Sequence, residues 1–178
     1  MTLQHYFGPG LWLVLALIAV EFINLLTLRR LNSFGIVPRE PAGLPGILVS
    51  PLLHADLKHF LANFPPVVLL CFVLGQLMPT QFWWIVAAVV LGTGALVWLL
   101  ARGQTHIGAS GLIYGLFGFL ILHGYRSGNI LHLIIGVALL LLYAGLLWGV
   151  IPNTTRTSWE SHLAGLLVGS SLAWWRIF

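Results

Sequence analysis

The sequence has 178 residues, of which 59% are hydrophobic and only 7% are charged, and its mean hydropathy is +0.98. Soluble domains carry about 25% charged residues, so the composition excludes an ordinary soluble protein and predicts an integral membrane protein. The net charge of +4 is spread over short loops without a basic run, which gives no indication of a nucleic-acid partner. A single cysteine, Cys71, excludes an intrachain disulfide.

Apolar segments predict six helices that could each cross a bilayer, which takes about 17–25 residues. They cover Leu11–Leu28, Asp56–Met78, Gln81–Ala101, Ala109–Tyr125, Asn129–Val150 and Trp159–Ile177. No stretch between them is long enough for a soluble domain, so residues 1–178 are predicted to form one all-α bundle. The first segment contains Glu21 and Asn24, which predicts a retained helix rather than a cleaved signal peptide. These two polar residues should face the bundle and find partners there.

The connection from Arg29 to Leu53 is the longest stretch between helices. Prolines and glycines along it predict turns. It also carries apolar residues, which are Leu44, Ile47, Leu48, Val49, Leu52 and Leu53. We therefore expect this first loop to pack on the bundle or to be partly embedded in the membrane interface.

Polar side chains gather where the second helix begins. His59 and Asn63 are four residues apart and share a helix face. His54 lies in the turn before the helix, and Asp56 is a candidate N-cap. These residues could form a local hydrogen-bond network. A metal site is a weaker interpretation, because the HExxH spacing is absent and no carboxylate joins them at ligand spacing.

The fourth helix opens with a glycine-rich segment, Gly108–Gly118. Its Ser110 and Tyr114 lie on one stripe, next to a stripe of glycines that would let another helix approach closely. The serine could simply cap a tightly packed helix. It could also act at a helix start, where unpaired backbone N–H groups stabilise an anion.

The sixth helix carries a second glycine stripe, headed by His162 and continued by Gly165 and Gly169. With six spans, the second, fourth and sixth helices all begin at the same membrane face. This topology brings His59, Ser110 and His162 to one depth. Neutral imidazole can accept a proton from a serine hydroxyl and return it to a leaving amine, so the pattern predicts a Ser–His pair.

Three motifs together resemble the rhomboid family of intramembrane serine proteases. The first is GxSG at residues 108–111, followed by Tyr114; the second is HxxxxHxxxN at residues 54–63. The third resembles the family's AHxxGxxxG helix at residues 161–169, with Ser161 where alanine is usual. The resemblance covers essentially the whole chain and implies a six-helix, multi-pass protein of a prokaryotic plasma membrane.

The resemblance implies that Ser110 is a nucleophile and His162 its general base, in a dyad without a carboxylate. The enzyme would cleave transmembrane segments of other membrane proteins through an acyl-enzyme, with no cofactor and no metal. The resemblance further implies that His59, Asn63 and the Ser110 backbone N–H form an oxyanion hole. It implies that Tyr114 packs against the imidazole, that His54 braces the first loop, and that Gly108 allows close approach of the substrate.

Two other functions remain compatible with the sequence. One is an inactive rhomboid-like protein that binds membrane clients, although such relatives usually lack the serine or the histidine and this chain keeps both. The other is a small channel or transporter, against which the absence of paired carboxylates and of an internal repeat counts. The sequence indicates neither the substrate nor the oligomeric state. In the orientation usual for the family, most loop arginines would lie outside the cell, whereas positive residues are normally enriched in cytoplasmic loops. The sequence therefore does not determine the orientation in the membrane.

Overall fold

The computed structural model describes residues 8–152 and 158–175. Within this part, every regular element is helical apart from one isolated bridge between Ile36 and His106, which confirms the all-α prediction. The six main helices are α1 Gly10–Leu26, α2 Leu57–Leu77, α3 Phe82–Leu100, α4 Ser110–Arg126, α5 Ile130–Leu142 and α6 Trp159–Trp174. The predicted end of the sixth helix at Ile177 and most of the fifth connection lie outside the described residues.

Helix length limits how many membrane spans the described structure supports. Helices α2 and α3 are long and apolar enough to cross a bilayer, while α5 and the following 3₁₀ helix form a third candidate, bent by 64°. Helices α1, α4 and α6 have 17, 17 and 16 residues. By length and composition the described residues therefore support two or three spans, and the number six stays a prediction.

The fifth helix differs from its prediction. The sequence predicts one helix over 129–150, but α5 ends at Leu142 and the chain turns into the 3₁₀ helix Ala144–Val150. Glycines lower the helix propensity of this segment. In addition, the carbonyl oxygens of Leu146 and Gly149 accept hydrogen bonds from side chains of α4 and α6. The prediction of a single long helix was wrong because these tertiary contacts hold the backbone in the tighter 3₁₀ conformation.

Helix α4 lies at the centre of the bundle, and its residues 111–120 are all buried. A Cβ added at Gly165 would overlap the carbonyl oxygen of Gly111, and one at Gly169 would overlap that of Gly115. The predicted glycine stripes are therefore confirmed as the contact between α4 and α6. Because both helices start at the same end of this contact, their first residues come together.

The outer surface of the bundle is apolar. Large hydrophobic side chains are exposed on several helices, among them Trp12, Phe22, Leu26, Trp84 and Leu141. Monomeric soluble proteins rarely expose such extended apolar surface. Together with the composition, this surface identifies an integral membrane protein.

The first loop folds against the bundle, as the sequence predicts. It contains the 3₁₀ helices Arg30–Phe34, Pro41–Gly43 and Ser50–Leu52 and a single-turn α-helix, Gly46–Val49. Gly94 of α3 makes room for Ile47, since a Cβ there would lie 2.6 Å from an Ile47 methyl. Embedding of the loop in the membrane interface stays a prediction.

A buried polar network ties this loop to α1 and to the start of α2. An Arg29 Nη1–H donates to the Glu21 carboxylate at 2.8 Å, and Asn24 Nδ2–H donates to Asn32 Oδ1 at 2.9 Å. Arg29 and Asn32 both also donate to the carbonyl oxygen of His54, at 3.2 and 3.0 Å. The polar residues of α1 thus do face the bundle, and their partners come from the first loop rather than from each other.

Candidate active site

A polar cavity of about 570 Å³ opens at the end of the bundle where α2, α4 and α6 begin. His59, Ser110 and His162 line it, one from each of these helices, together with His106 and Ser158. The structure therefore brings to one cavity the three side chains that the topology argument placed at one depth.

His162 is held on two sides. Its Nδ1 lies 2.9 Å from the carbonyl oxygen of Gly149. Because a carbonyl only accepts, Nδ1 must carry the proton, which leaves Nε2 with the lone pair. The imidazole stacks on the Tyr114 ring with centroids 4.2 Å apart and planes 8° apart. The Tyr114 hydroxyl in turn donates to the carbonyl oxygen of Leu146 at 2.7 Å, so two carbonyls of one 3₁₀ helix orient both rings.

Ser110 is the first residue of α4 and is half-buried in the cavity wall. Its backbone N–H belongs to the first helical turn, where N–H groups have no partner inside the helix. The preceding loop is fixed by the N–H of Gly108, which donates to the carbonyl oxygen of Ser50 at 2.9 Å. The first loop thereby sets the position of the serine segment.

His59 presents a hydrogen-bond donor to the same region. The Ala55 N–H donates to His59 Nδ1 at 3.5 Å, so the ring proton lies on Nε2. A Cβ on Gly108 would lie 2.8 Å from that Nε2, and the φ angle of Gly108 is +119°. The immediate neighbour that glycine accommodates here is thus the His59 ring, whereas the resemblance implied close approach of a substrate.

Asn63 and His54 lie behind the cavity wall. Asn63 is only 6% exposed, and its Nδ2 donates to the carbonyl oxygen of His59 at 2.9 Å. The ring of His54 is fully buried against those of His59 and Phe60. Burial is the main cause that lowers the pKa of His54 to about 4, and the positive charge of Arg29 lowers it further, as would protonation of His59. The imidazole of His54 is therefore neutral at physiological pH.

The helix that carries His59 and Asn63 starts as predicted. The Asp56 carboxylate accepts a hydrogen bond from the His59 N–H at 2.7 Å, which confirms Asp56 as the N-cap. Such a cap is worth about 1 kcal/mol and fixes the first turn of α2 at the cavity.

A further set of contacts joins the loop before α4 to the head of α6. His106 Nδ1 lies 2.7 Å from Ser158 Oγ, and its Nε2 lies 3.0 Å from the carbonyl oxygen of Arg102. Ser158 Oγ also lies 2.7 Å from Ser161 Oγ, and Arg102 pairs with Glu160. Burial lowers the pKa of His106 below its ordinary value. These contacts couple the segments that carry Ser110 and His162.

Three residues of the site were not predicted from the sequence: Leu146, Gly149 and Ser158. Leu146 and Gly149 contribute backbone carbonyl oxygens and Ser158 a helix-capping hydroxyl, and no pattern of residue types indicates such roles. Within the described part of the chain, no group of three or more His, Cys, Asp or Glu residues is arranged to hold a metal ion.

Comparisons with known proteins agree with the architecture. The model of the Rhomboid domain matches residues 42–177. The chain is also 36% identical over 165 residues to an uncharacterised protein of Mycobacterium tuberculosis, an alignment that covers 88% of this chain and 69% of the relative. An uncharacterised protein of Mycobacterium leprae is 37% identical over 161 residues, with 84% and 63% covered. The chain therefore belongs to the rhomboid family, whose members are usually intramembrane serine proteases.

Proposed function

We propose that this protein is an intramembrane serine endopeptidase that works as a six-span bundle in the plasma membrane of a prokaryote. One observation carries the proposal: Ser110 and His162 line the same polar cavity, and His162 is oriented with Nε2 as its free acceptor. Family membership and the apolar outer surface support the membrane setting.

In this mechanism the Ser110 hydroxyl attacks a substrate carbonyl carbon while His162 Nε2 takes its proton. The imidazolium that forms is stabilised by the Nδ1–H bond to the Gly149 carbonyl and by stacking on Tyr114. It then protonates the leaving amine, which leaves an acyl-enzyme on Ser110. Water enters through the cavity and repeats the sequence to release the acid product.

The oxyanion would be bound by hydrogen bonds from the Ser110 backbone N–H, from His59 Nε2–H and from Asn63. The Asn63 amide has two N–H groups, and one of them already donates to the His59 carbonyl oxygen. Donors of this kind typically contribute about 3–4 kcal/mol each to transition-state stabilisation. Asn63 has to turn its second N–H towards the cavity when substrate binds.

The substrates would be transmembrane segments of other membrane proteins, as in the rest of the family. A helical segment hides its carbonyl carbons within its own hydrogen bonds, so the scissile region has to unwind before Ser110 can attack. The polar cavity supplies the water and the hydrogen-bond partners that an unwound backbone needs.

A serine-reactive fluorophosphonate probe tests the proposal on detergent-solubilised protein. We expect the wild type to be labelled and both Ser110→Ala and His162→Ala to lose labelling, because each variant removes one half of the proton transfer. Helical circular dichroism of all three proteins provides the control for folding. Cleavage of a reporter transmembrane segment, abolished by Ser110→Ala, extends the test to peptide substrates.

Two results would count against the proposal. Labelling or cleavage retained by Ser110→Ala would remove the assigned nucleophile. A folded wild type that is neither labelled nor cleaves any membrane reporter would instead favour an inactive client-binding member of the family.

A further inference from the structure

A second cavity, of about 380 Å³, lies at the opposite end of the bundle, where α4 and α6 end and α5 begins. Its polar lining comes from His123, Arg126, Ser127, Asn129 and His132. None of the described residues that line it is acidic. Neither the proposed protease chemistry nor the family motifs involve any of these side chains.

Local sequence explains why these residues meet. Gly124 lets the start of α5 approach α4, since a Cβ there would lie 2.5 Å from the carbonyl oxygen of His132. The chain reverses at Gly128, whose φ is +71°. Asn129 Oδ1 then caps α5 by accepting the N–H groups of Leu131 and His132, at 2.8 and 3.4 Å. The tight turn places His132 beside the last turns of α4.

The ring groups of this cavity are held in place. His123 Nε2 lies 3.2 Å from His132 Nδ1, and the His123 ring stacks on Phe119 with the planes 8° apart. The Arg126 guanidinium carbon lies 4.7 Å from the centroid of the Trp174 ring. The cavity therefore has a positioned guanidinium and a positioned pair of imidazoles.

The structure assigns to this cavity a binding site for a phosphate-bearing anion, and we propose that it takes the headgroup of an anionic phospholipid. A planar guanidinium matches phosphate geometry in two parallel hydrogen bonds. Basic pockets between membrane helices are known to bind such headgroups. A divalent transition metal fits less well, because the described lining offers only two imidazoles and the fixed charge of Arg126 would oppose it.

The depth of the cavity points to a lipid as the source of the phosphate. Tyr125, Trp174 and Trp175 expose 69%, 46% and 72% of their surface at this end of the bundle. Exposed tyrosine and tryptophan side chains concentrate at the level of the lipid headgroups. The cavity thus lies where phospholipid phosphates are, on the membrane face opposite the proposed dyad.

Thermal unfolding of purified protein in a neutral detergent tests the assignment. The added probes are short-chain phosphatidylglycerol, the phosphatidylcholine of the same chain length, and inorganic phosphate. Variants Arg126→Gln and His132→Gln remove parts of the site. Arg30→Gln removes one exposed positive charge at the other end of the bundle and is the matched control. Helical circular dichroism checks that each variant is folded before ligand is added.

A ligand that binds only the folded state raises the melting temperature. We expect phosphatidylglycerol to raise it in the wild type and in Arg30→Gln, with an apparent affinity about tenfold weaker in Arg126→Gln, since a charged hydrogen-bond donor is lost. Phosphatidylcholine should have little effect. An equal response to inorganic phosphate would keep the anion site but identify a free anion rather than a lipid as its ligand.

Other results would overturn the assignment. One is an equal phosphatidylglycerol response in the wild type, Arg126→Gln and His132→Gln; another is no response of the wild type to either anion. Stabilisation by Zn²⁺ alone, lost in His132→Gln, would identify a metal site in its place. Ser110 takes no part in ligand-induced stabilisation. The outcome of this experiment is therefore independent of whether the protease proposal is correct.

Discussion

At the scale of single residues, the most informative contact is between His162 and the carbonyl oxygen of Gly149. In a Ser–His–Asp triad a carboxylate holds the imidazole in the correct tautomer. Here a neutral carbonyl accepts the Nδ1–H, and Tyr114 supports the ring by stacking. A carbonyl provides orientation without a full negative charge, which suits a site beside the hydrocarbon core.

The substitution Gly149→Ala tests this contact. The added Cβ would overlap the Tyr114 hydroxyl and lie 3.1 Å from His162 Nδ1, so the ring pair has to move. Displacing a reacting group by about 1 Å can cost about 100-fold in rate. We expect probe labelling of Ser110 to slow by roughly that factor in a protein that remains folded.

Gly145→Ala is the matched control, because it lies in the same 3₁₀ helix and a Cβ there meets nothing within 4 Å. It should label at the rate of the wild type. Equal labelling rates for Gly149→Ala and Gly145→Ala would show that the carbonyl contact does not orient the base.

At the scale of elements, the packing of α4 against α6 brings together the two helices that carry Ser110 and His162 into the cavity wall. Apolar side chains gain little by leaving lipid for a helix interface, so close backbone packing provides much of the association. The two glycine stripes permit that closeness. The contact between His106, in the loop before α4, and Ser158, the N-cap of α6, joins the same two helices at their N-terminal ends.

Gly169→Ala should weaken this helix pair. Its Cβ would overlap the Gly115 carbonyl oxygen, and overpacking of this kind costs about 1–3 kcal/mol. We expect a lower melting temperature in detergent, followed by circular dichroism. Gly103→Ala is the control, because a Cβ there meets nothing within 4 Å, and it should have the melting temperature of the wild type. Equal melting temperatures for Gly169→Ala and Gly103→Ala would contradict the close α4–α6 contact.

At the scale of the whole molecule, the first loop is a structural part of the bundle. Its polar network reaches from Glu21 in α1 to the carbonyl oxygen of His54 before α2. The loop also holds Gly108, through the carbonyl oxygen of Ser50, two residues before Ser110. Loosening the loop is therefore expected to disturb the serine segment as well as the fold.

We expect the buried His54 to make the docking of the first loop sensitive to acid. Its pKa is about 4 in the folded protein, against an ordinary value of 6.5. Between these values the unfolded chain binds more protons, so stability falls as the pH is lowered from 6.5 to about 4 and is insensitive to this residue above 6.5. The shift corresponds to a loss of about 3 kcal/mol at most.

Melting temperatures measured across this pH range, for the wild type and for His54→Gln, separate His54 from the carboxylates that also titrate there. We expect the variant to lose less of its melting temperature on acidification, even if it starts lower at neutral pH. Parallel curves would mean that His54 does not carry the acid sensitivity.

Much of this protein was predictable from local features of its sequence. Hydropathy and helix spacing identified the membrane class, the approximate helix positions and the glycine faces, because each depends on residues close together in the chain. The order of the helices was enough to place His59, Ser110 and His162 at one end of the bundle.

Only the tertiary structure showed which contacts hold those residues in place and which other cavity the bundle contains. The 3₁₀ helix after Leu142, the Gly149 carbonyl against His162 and the His59 ring against Gly108 join segments far apart in sequence. The basic cavity around Arg126 likewise forms only when three helices meet. Such contacts depend on backbone atoms and on the fit between surfaces of distant segments. Neither can be derived from the type of a residue or from its spacing to nearby residues.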